Sequence, residues 1–302
     1  MNKVLAIFVL VGIFVYAQEV YAAMSSTNYQ IRWDTVNTGG SDSASSATYL
    51  LRDSVSGMAD STAASTSYQV LDGYRSGVID QVISFDLYIQ NTAEISEATN
   101  FSGNTISVSP TTNFVVGDFV ALVQNRGANQ VVGIGKLVSK TSSTLVVDYL
   151  ANAGVAPVVD GSGDYVLPLT GSGLNFSTVD GLSVVTGVIG FEVTVDNESG
   201  YVIQLVEDGN LRSGSNDISD VSDGAVSVGV EEFGARSSDN TLTNSDFDTK
   251  DAAITSTAQD IVTKSQYVIG DRTFVTFKLS VQTATASSVY TNTLTFIASG
   301  NF

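Results

Sequence analysis

The sequence contains neither histidine nor cysteine in its 302 residues. Histidine is the usual proton shuttle near neutral pH and a common metal ligand, while cysteine supplies nucleophiles and disulfide bonds. Their absence excludes Ser-His and Cys-His catalysis, the usual zinc sites and any disulfide framework. The stability of the fold must therefore come from packing and from backbone hydrogen bonds.

Basic residues are also scarce. The chain has 13 Lys and Arg against 31 Asp and Glu, so its formal net charge is -18. Such a surface repels phosphates and anionic headgroups, because each phosphate contact needs a cation. We therefore expect no nucleic acid among the partners.

Catalysis would have to depend on paired carboxylates, as in glycosidases. The sequence has no Asp-Thr-Gly or Asp-Ser-Gly pair, no Ser-x-x-Lys motif and no glycine-rich loop that opens a helix. On this inventory we expect a protein that is not an enzyme.

Proline is rare, with three residues, and helical periodicity is nearly absent. The best helix candidate runs from Asp251 to Lys264, but its Thr and Ser content weakens it. Elsewhere short runs alternate between apolar and polar residues, with abundant Gly, Ser, Thr and Val. This pattern predicts an all-β protein with antiparallel sheets.

The first residues have the order of a secretory signal peptide. Lys3 precedes an apolar run from Val4 to Tyr16, and Val20-Tyr21-Ala22 follows. The run is short for a bilayer span, which takes roughly 20 residues. We predict cleavage after Ala22, so that residues 1–22 form the signal peptide and the mature protein is secreted to the cell surface.

Residues 23–78 contain a repeated strand unit. Tyr29, Tyr49 and Tyr68 each stand two residues before an aliphatic residue, so both side chains point to one face of a strand. The Gly-, Ser- and Asp-rich stretches 39–46 and 57–67 between them predict loops. We interpret this part as an N-terminal strand-repeat segment.

The rest of the chain shows two different sequence patterns. In residues 105–169, the turn Gly117-Asp118 precedes one short strand and a second strand carries Gly133 and Gly135, which resembles small SH3-like barrels. Residues 79–104 and 170–302 have longer alternating strands, as expected for a sandwich. The prediction is a β-sandwich with an inserted small β-barrel.

Four segments suggest relatives: Asn197-Glu198-Ser199-Gly200-Tyr201, Gly209-Asn210-Leu211, Glu232-Phe233-Gly234 and the last strand from Val289 to Phe296. Together they resemble exported immunoglobulin-like surface proteins of small uncultured bacteria. The last strand is also similar to that of WxL-type cell-wall domains. The chain departs from that pattern because its one Trp, Trp33, is far from the C-terminus, so no peptidoglycan-binding residue can be carried over. The resemblance implies an immunoglobulin-like sandwich and a surface role.

An acidic loop is the candidate metal site. Asp217, Asp220 and Asp223 with Gly224, followed by Glu231 and Glu232, offer hard oxygen ligands for Ca²⁺. The spacing does not match an EF-hand, in which ligands alternate. A solvated acidic loop without metal is the alternative, and no other cofactor is expected.

Tyr29-Gln30-Ile31-Arg32-Trp33 is the candidate assembly segment. Tyr29, Ile31 and Trp33 alternate with polar residues, and the glycine-containing stretch Gly39-Gly40-Ser41 follows. Such a strand can complete its own N-terminal meander or add to the sheet edge of another subunit. Both possibilities remain open at this point.

Two functions are compatible with these features. The first is an extracellular structural protein, a subunit of a surface filament or layer whose partner is a second copy of itself. The alternative is an adhesin-like module that recognises cell-wall glycan or protein through residues 105–169.

Overall fold

The structure is a computed structural model that describes residues 83–301 and four strands within residues 39–71. The chain divides into two compact units, Met1–Asp80 and Gln81–Phe302. The described residues contain β-strands and a 3-10 turn but no α-helix, so the all-β prediction is confirmed. The candidate helix from Asp251 to Lys264 is wrong, because its second half, Gln259–Lys264, is a strand.

In the first unit, β1 (Gly39–Ser45) pairs with β2 (Leu50–Val55), and β3 (Thr62–Ala64) pairs with β4 (Gln69–Leu71). Both pairs are antiparallel. The stretch 39–46, predicted to be a loop, therefore contains a strand, and so does 57–67. Glycine and serine weaken a strand locally, but the partner strand supplies the hydrogen bonds that decide the outcome.

The second unit contains sixteen described strands. Their bounds are β5 (Ile83–Ile89), β6 (Ser96–Ser102), β7 (Thr105–Val108), β8 (Phe119–Gln124), β9 (Val131–Lys140), β10 (Thr144–Val147), β11 (Ala151–Asn152), β12 (Tyr165–Pro168), β13 (Val185–Val195), β14 (Tyr201–Glu207), β15 (Leu211–Ser213), β16 (Asn216–Ile218), β17 (Glu232–Ser237), β18 (Gln259–Lys264), β19 (Val268–Ser280) and β20 (Leu294–Gly300).

Strands β6 to β12 form one sheet in the order β10-β7-β6-β12-β8-β9-β11. Strand β10 pairs with β9 as well as with β7, so the strand pairing returns to its starting point. Ile106, Leu122, Leu137, Leu145 and Val166 are fully or almost fully buried in the core of this sheet. Gly135 lets the Tyr149 carbonyl approach β9 more closely than a Cβ atom would allow.

The other large core lies between a four-stranded sheet, β17-β19-β13-β5, and a three-stranded sheet, β18-β14-β20. Phe191 of β13 contacts Phe296 of β20 with ring centroids 5.3 Å apart. Tyr201, Ile203 and Phe277 are fully buried in the same core. Burial of this apolar surface is the main stabilising contribution at this end of the unit.

Arg272 fixes the two cores to each other. Its Nη1 and Nη2 atoms donate to the two carboxylate oxygens of Asp148, each at 2.8 Å, and its Nε atom donates to Glu192 at 2.8 Å. The guanidinium also lies over the rings of Phe119 and Tyr149, at 4.7 and 4.4 Å from their centroids.

Lys278 makes a second connection. Its Nζ lies 2.8 Å from Oδ1 of Asp251 and donates to the carbonyl oxygen of Ala128, in the loop between β8 and β9, at 2.8 Å. Both members of the ion pair are buried. Because a buried charge needs partners, these bonds hold the β8–β9 loop against β19.

Candidate functional site

A cleft of about 1530 Å³ opens at one end of the core between the two sheets. One wall is residues 172–180, and the other is residues 282–293. Its floor is apolar and consists of Ile89, Ile189, Leu211, Ile218, Phe233, Leu279, Val281, Leu294 and Phe296. Among the described residues that line the cleft, Asp180 is the only charged one.

The strands beside the cleft are sheet edges. Within the described part of the chain, β20 pairs with β14 alone, and β5 pairs with β13 alone apart from the bridge between Ile89 and Gly171. An edge strand presents unpaired N–H and C=O groups that can pair with another strand. Over the residues described, the cleft therefore combines an apolar floor with unpaired backbone edges.

The side chains of these two edge strands are only half-buried where they face the core. They are Phe85, Leu87 and Ile89 on β5 and Leu294, Phe296 and Ala298 on β20. Between the β20 residues, Thr295 and Ile297 are exposed on the outer face. The alternation matches the strand period of two, so the half-buried row is a core face that lacks its full cover.

The first wall is held by specific packing. Leu174 lies so close to the backbone of Gly187 in β13 that a side chain there would collide with it. Phe176 contacts Phe233 edge-on, with centroids 6.2 Å apart. Thr92 Oγ1 donates to the carbonyl of Asn175 at 2.8 Å.

The second wall is tied to β15. The backbone N–H groups of Thr291 and Arg212 donate to each other's carbonyl oxygens at 3.0 and 3.1 Å. The Tyr290 hydroxyl donates to the carbonyl of Ala286 at 2.9 Å. Both walls are thus defined by local bonds, and the opening between them is a feature of the fold.

A pair of carboxyl groups lies behind the second wall. Burial and the neighbouring charge of Asp220 raise the pKa of Glu207 to about 7, and burial raises the pKa of Asp220 to about 6. The two side chains share a hydrogen bond, and Asn292 Nδ2 donates to Glu207 at 3.2 Å. Neither carboxyl group lines the cleft.

Asp208, next to Glu207 in the chain, has a lowered pKa instead of a raised one. Hydrogen bonds from Arg212, at 3.1 and 2.6 Å, and from the Thr293 backbone, at 2.8 Å, lower its pKa to about 2. Arg212 is therefore paired with Asp208 and does not neutralise Glu207 or Asp220. The repulsion between Glu207 and Asp220 is reduced by the proton that they share.

The predicted calcium ligands have separate surroundings. Asp217 lies in β16 opposite Arg212, Asp220 shares its hydrogen bond with Glu207, and Asp223 accepts from the Ala225 backbone at 3.1 Å. Over the residues described, no three carboxylates converge in a way that could hold a metal ion. Calcium binding by these three residues stays a prediction.

The other acidic residues of that loop have protein partners. Glu231 accepts from the Thr285 hydroxyl at 3.2 Å, and Glu232 accepts from the Ser227 backbone at 3.0 Å. Sequence reasoning named Asp220 but missed Glu207, although the strand period places this carboxyl group on the same buried face as Tyr201, Ile203 and Leu205. Only the pairing of β14 with β20 brings it beside Asn292.

The candidate assembly residues Tyr29, Ile31 and Trp33 lie outside the described residues. The sequence did not reveal the cleft, because its walls come from segments about a hundred residues apart. The alternation of apolar and polar residues in the last strand was the one signal in the sequence that pointed to the cleft.

Comparison of the chain with protein families, curated proteins and solved structures finds no match. Among the described residues, no helix has the length and apolar character needed to cross a membrane.

Proposed function

We propose that this chain is an extracellular structural protein, a subunit of a surface filament or surface layer that assembles by β-strand addition. The single observation that carries the proposal is that β5 and β20, beside an apolar cleft, have no partner on their outer edges in the described part of the chain. Strand addition supplies a row of main-chain hydrogen bonds together with apolar side chains in pockets. It therefore needs neither catalytic residues nor a cofactor.

The proposal includes a finer description of the fold. Residues 79–104 and 170–302 are an immunoglobulin-like β-sandwich, and residues 105–169 are an inserted small barrel. Two observations support this division. Two sheets enclose one core, and β10 pairs with β9 as well as with β7. Residues 23–78 are the N-terminal segment that supplies the added strand.

The location follows from the sequence. Residues 1–22 act as a signal peptide, and the resemblance to exported immunoglobulin-like surface proteins supports a place on the cell surface. The net charge of -18 favours a soluble subunit and disfavours nucleic acid.

The position of the carboxyl pair Glu207 and Asp220 disfavours a catalytic role for it. Glu207 is 3% exposed and, like Asp220, does not line the cleft. A general acid must reach the proton it transfers, so this pair is better explained as a structural contact.

The test is electron microscopy of the purified mature protein. We expect ordered fibres or layers, and we expect monomers after deletion of residues 24–40. A triple variant, Tyr29→Ser, Ile31→Ser and Trp33→Ser, should also remain monomeric. The matched control, Gln30→Ser with Arg32→Ser, changes the polar positions of the same segment and should still assemble.

A protein that stays monomeric at high concentration, with and without added Ca²⁺, contradicts the proposal. Glycan binding that depends on residues 105–169, found with such a monomer, would favour the adhesin alternative instead.

A further inference from the structure

We propose that the acceptor for the added strand is the free edge of β20 and the cleft beside it, and that its occupant is Tyr29–Trp33 of a second copy. In this arrangement Tyr29, Ile31 and Trp33 enter the cleft. The inference rests on the proposed function and names the site and the partner segment that the function requires.

Of the other edges of the two packed sheets, β17 and β18 are covered in the described part of the chain, whereas β5 is open like β20 but contributes only Ile89 to the cleft. At β17, the Phe233 and Ala235 backbones bond to Ser219 and Ala252. At β18, Ser237 and Ser245 donate to the carbonyls of Ile261 and Asp260, and Asp239 accepts from the Thr263 backbone at 2.8 Å.

The edge of β20 differs from them. No hydrogen bond among the described residues joins the Leu294–Gly300 backbone to anything but β14. This strand also provides two residues of the cleft floor, Leu294 and Phe296. It is therefore the edge at which an added strand gains both backbone pairing and apolar burial.

The candidate segment matches this edge in length and period. Strand β20 has seven residues, or about 23 Å at about 3.3 Å per residue. The segment Tyr29–Trp33 with one residue on each side has the same length. Its three large apolar side chains recur at every second position, as do the half-buried residues of β20.

Volume and charge favour a peptide strand over a small ligand. The cleft, at about 1530 Å³, exceeds the roughly 300–1,000 Å³ of ordinary small-molecule sites. With one flanking residue on each side the segment is Asn28–Asp34, in which the charges of Arg32 and Asp34 cancel. It thus adds no net negative charge to a subunit whose net charge is -18, and Arg32 faces away from the apolar row.

The absence of native cysteine gives a clean test by disulfide cross-linking. Neighbouring strands place outer-face residues within disulfide range. Donor variants Gln30→Cys or Arg32→Cys of the mature protein are mixed with isotope-labelled acceptor variants Thr295→Cys or Ile297→Cys under assembly conditions. The matched control is Thr263→Cys, on the outer face of β18 at the opposite edge of the same sheet.

We expect donor–acceptor heterodimers at roughly tenfold or greater yield for Thr295→Cys or Ile297→Cys than for Thr263→Cys, since pairing raises the local thiol concentration. As a second measurement, Ile297→Lys should block assembly and Thr263→Lys should not, because lysine on an edge strand opposes pairing. Both substituted positions lie on the outer face, so the monomer should stay folded.

The outcomes separate the two proposals. Fibres without selective cross-links, or fibres from Ile297→Lys, overturn the acceptor site while strand-mediated assembly survives. A cross-link formed within single chains that carry both cysteines, without polymers, overturns the second copy as occupant. A protein that forms neither polymers nor cross-links contradicts both proposals.

Discussion

The interactions of Arg272 depend on the shape of its side chain as well as on its charge. Burial by itself would lower the pKa of Arg272, but hydrogen bonds to Asp148 and Glu192 outweigh it and raise the pKa. Burial likewise would raise the pKa of Asp148, yet bonds from Arg272, Tyr149 and Lys136 lower it. Both shifts favour the charged form of the group.

We expect Arg272→Lys to destabilise the protein by about 2 kcal/mol, because an ammonium group cannot keep the two-oxygen contact with Asp148 and the bond to Glu192 together. The stacking on Phe119 and Tyr149 is also reduced. Urea unfolding followed by circular dichroism measures the loss.

Arg212→Lys is the matched control. Arg212 also binds a carboxylate through two nitrogens, but on the exposed surface. Its substitution should leave the urea midpoint nearly unchanged, since exposed ion pairs contribute little. Equal losses in the two variants would show that the buried geometry of Arg272 has no special importance.

At the scale of elements, the end of β14 and the start of β20 depend on the proton between Glu207 and Asp220. In the folded chain the pKa of Glu207 is about 7 and that of Asp220 about 6, whereas unfolded carboxyls titrate near 4. Asp208 and Arg212 are the charged neighbours, and they neutralise each other. Between pH about 4 and 7, the folded state thus binds protons that the unfolded state has released.

The predicted consequence is that the free energy of unfolding falls as pH rises through that window. Allowing for solvent screening, the pair should account for about 1 to 2 kcal/mol between pH 5 and 8. Glu207→Gln should flatten this part of the profile, because glutamine keeps a donor toward Asp220 and an acceptor for Asn292 without titrating. Urea unfolding at several pH values provides the measurement.

Asp208→Asn serves as the comparison for that profile. The pKa of Asp208 is about 2, so Asp208 is ionised in both states above pH 5 and contributes no slope of its own. Its charge is the smallest of the causes that raise the pKa of Glu207, so Asp208→Asn should flatten the profile much less than Glu207→Gln. An unchanged slope in Glu207→Gln, or equal flattening in both variants, would assign the pH dependence to other groups.

The sequence predicted elements well where one face is buried. The alternation predicted for residues 79–104 is present in β5, where Phe85, Leu87 and Ile89 pack against the core. In the last strand, Leu294, Phe296 and Ala298 alternate with outward-facing residues and pack against the core, in agreement with the alternation predicted for residues 170–302. Alternation reports burial directly, so these strands needed no knowledge of their partners.

Prediction failed where distant partners decide the outcome. Gly39–Ser45 became a strand through pairing with β2, and Gln259–Lys264 through pairing with β14. The cleft could not be foreseen, since its walls and floor come from many separate segments. Calcium ligation by Asp217, Asp220 and Asp223 was inferred from proximity in sequence and stays a prediction, while the fold gives each of the three residues a different partner.

At the scale of the whole molecule, the net charge of -18 opposes the association of like copies. Each subunit that joins a polymer meets another subunit whose net charge has the same sign. Salt screens such repulsion over a Debye length of about 10 Å at 0.1 M ionic strength. Screening should therefore favour assembly as long as apolar burial and backbone pairing hold the subunits together.

We accordingly expect assembly, followed by light scattering, to become several-fold faster when NaCl is raised from about 20 to about 300 mM, because repulsion between subunits is screened.

Steps of MgCl₂ and CaCl₂ at matched ionic strength separate screening from specific binding. If Ca²⁺ acts no more strongly than Mg²⁺, the calcium hypothesis for Asp217, Asp220 and Asp223 fails, whereas a Ca²⁺ effect that Asp220→Asn abolishes would support it. Assembly that slows with added NaCl would mean that attraction between charges, instead of edge pairing and apolar burial, holds the polymer together.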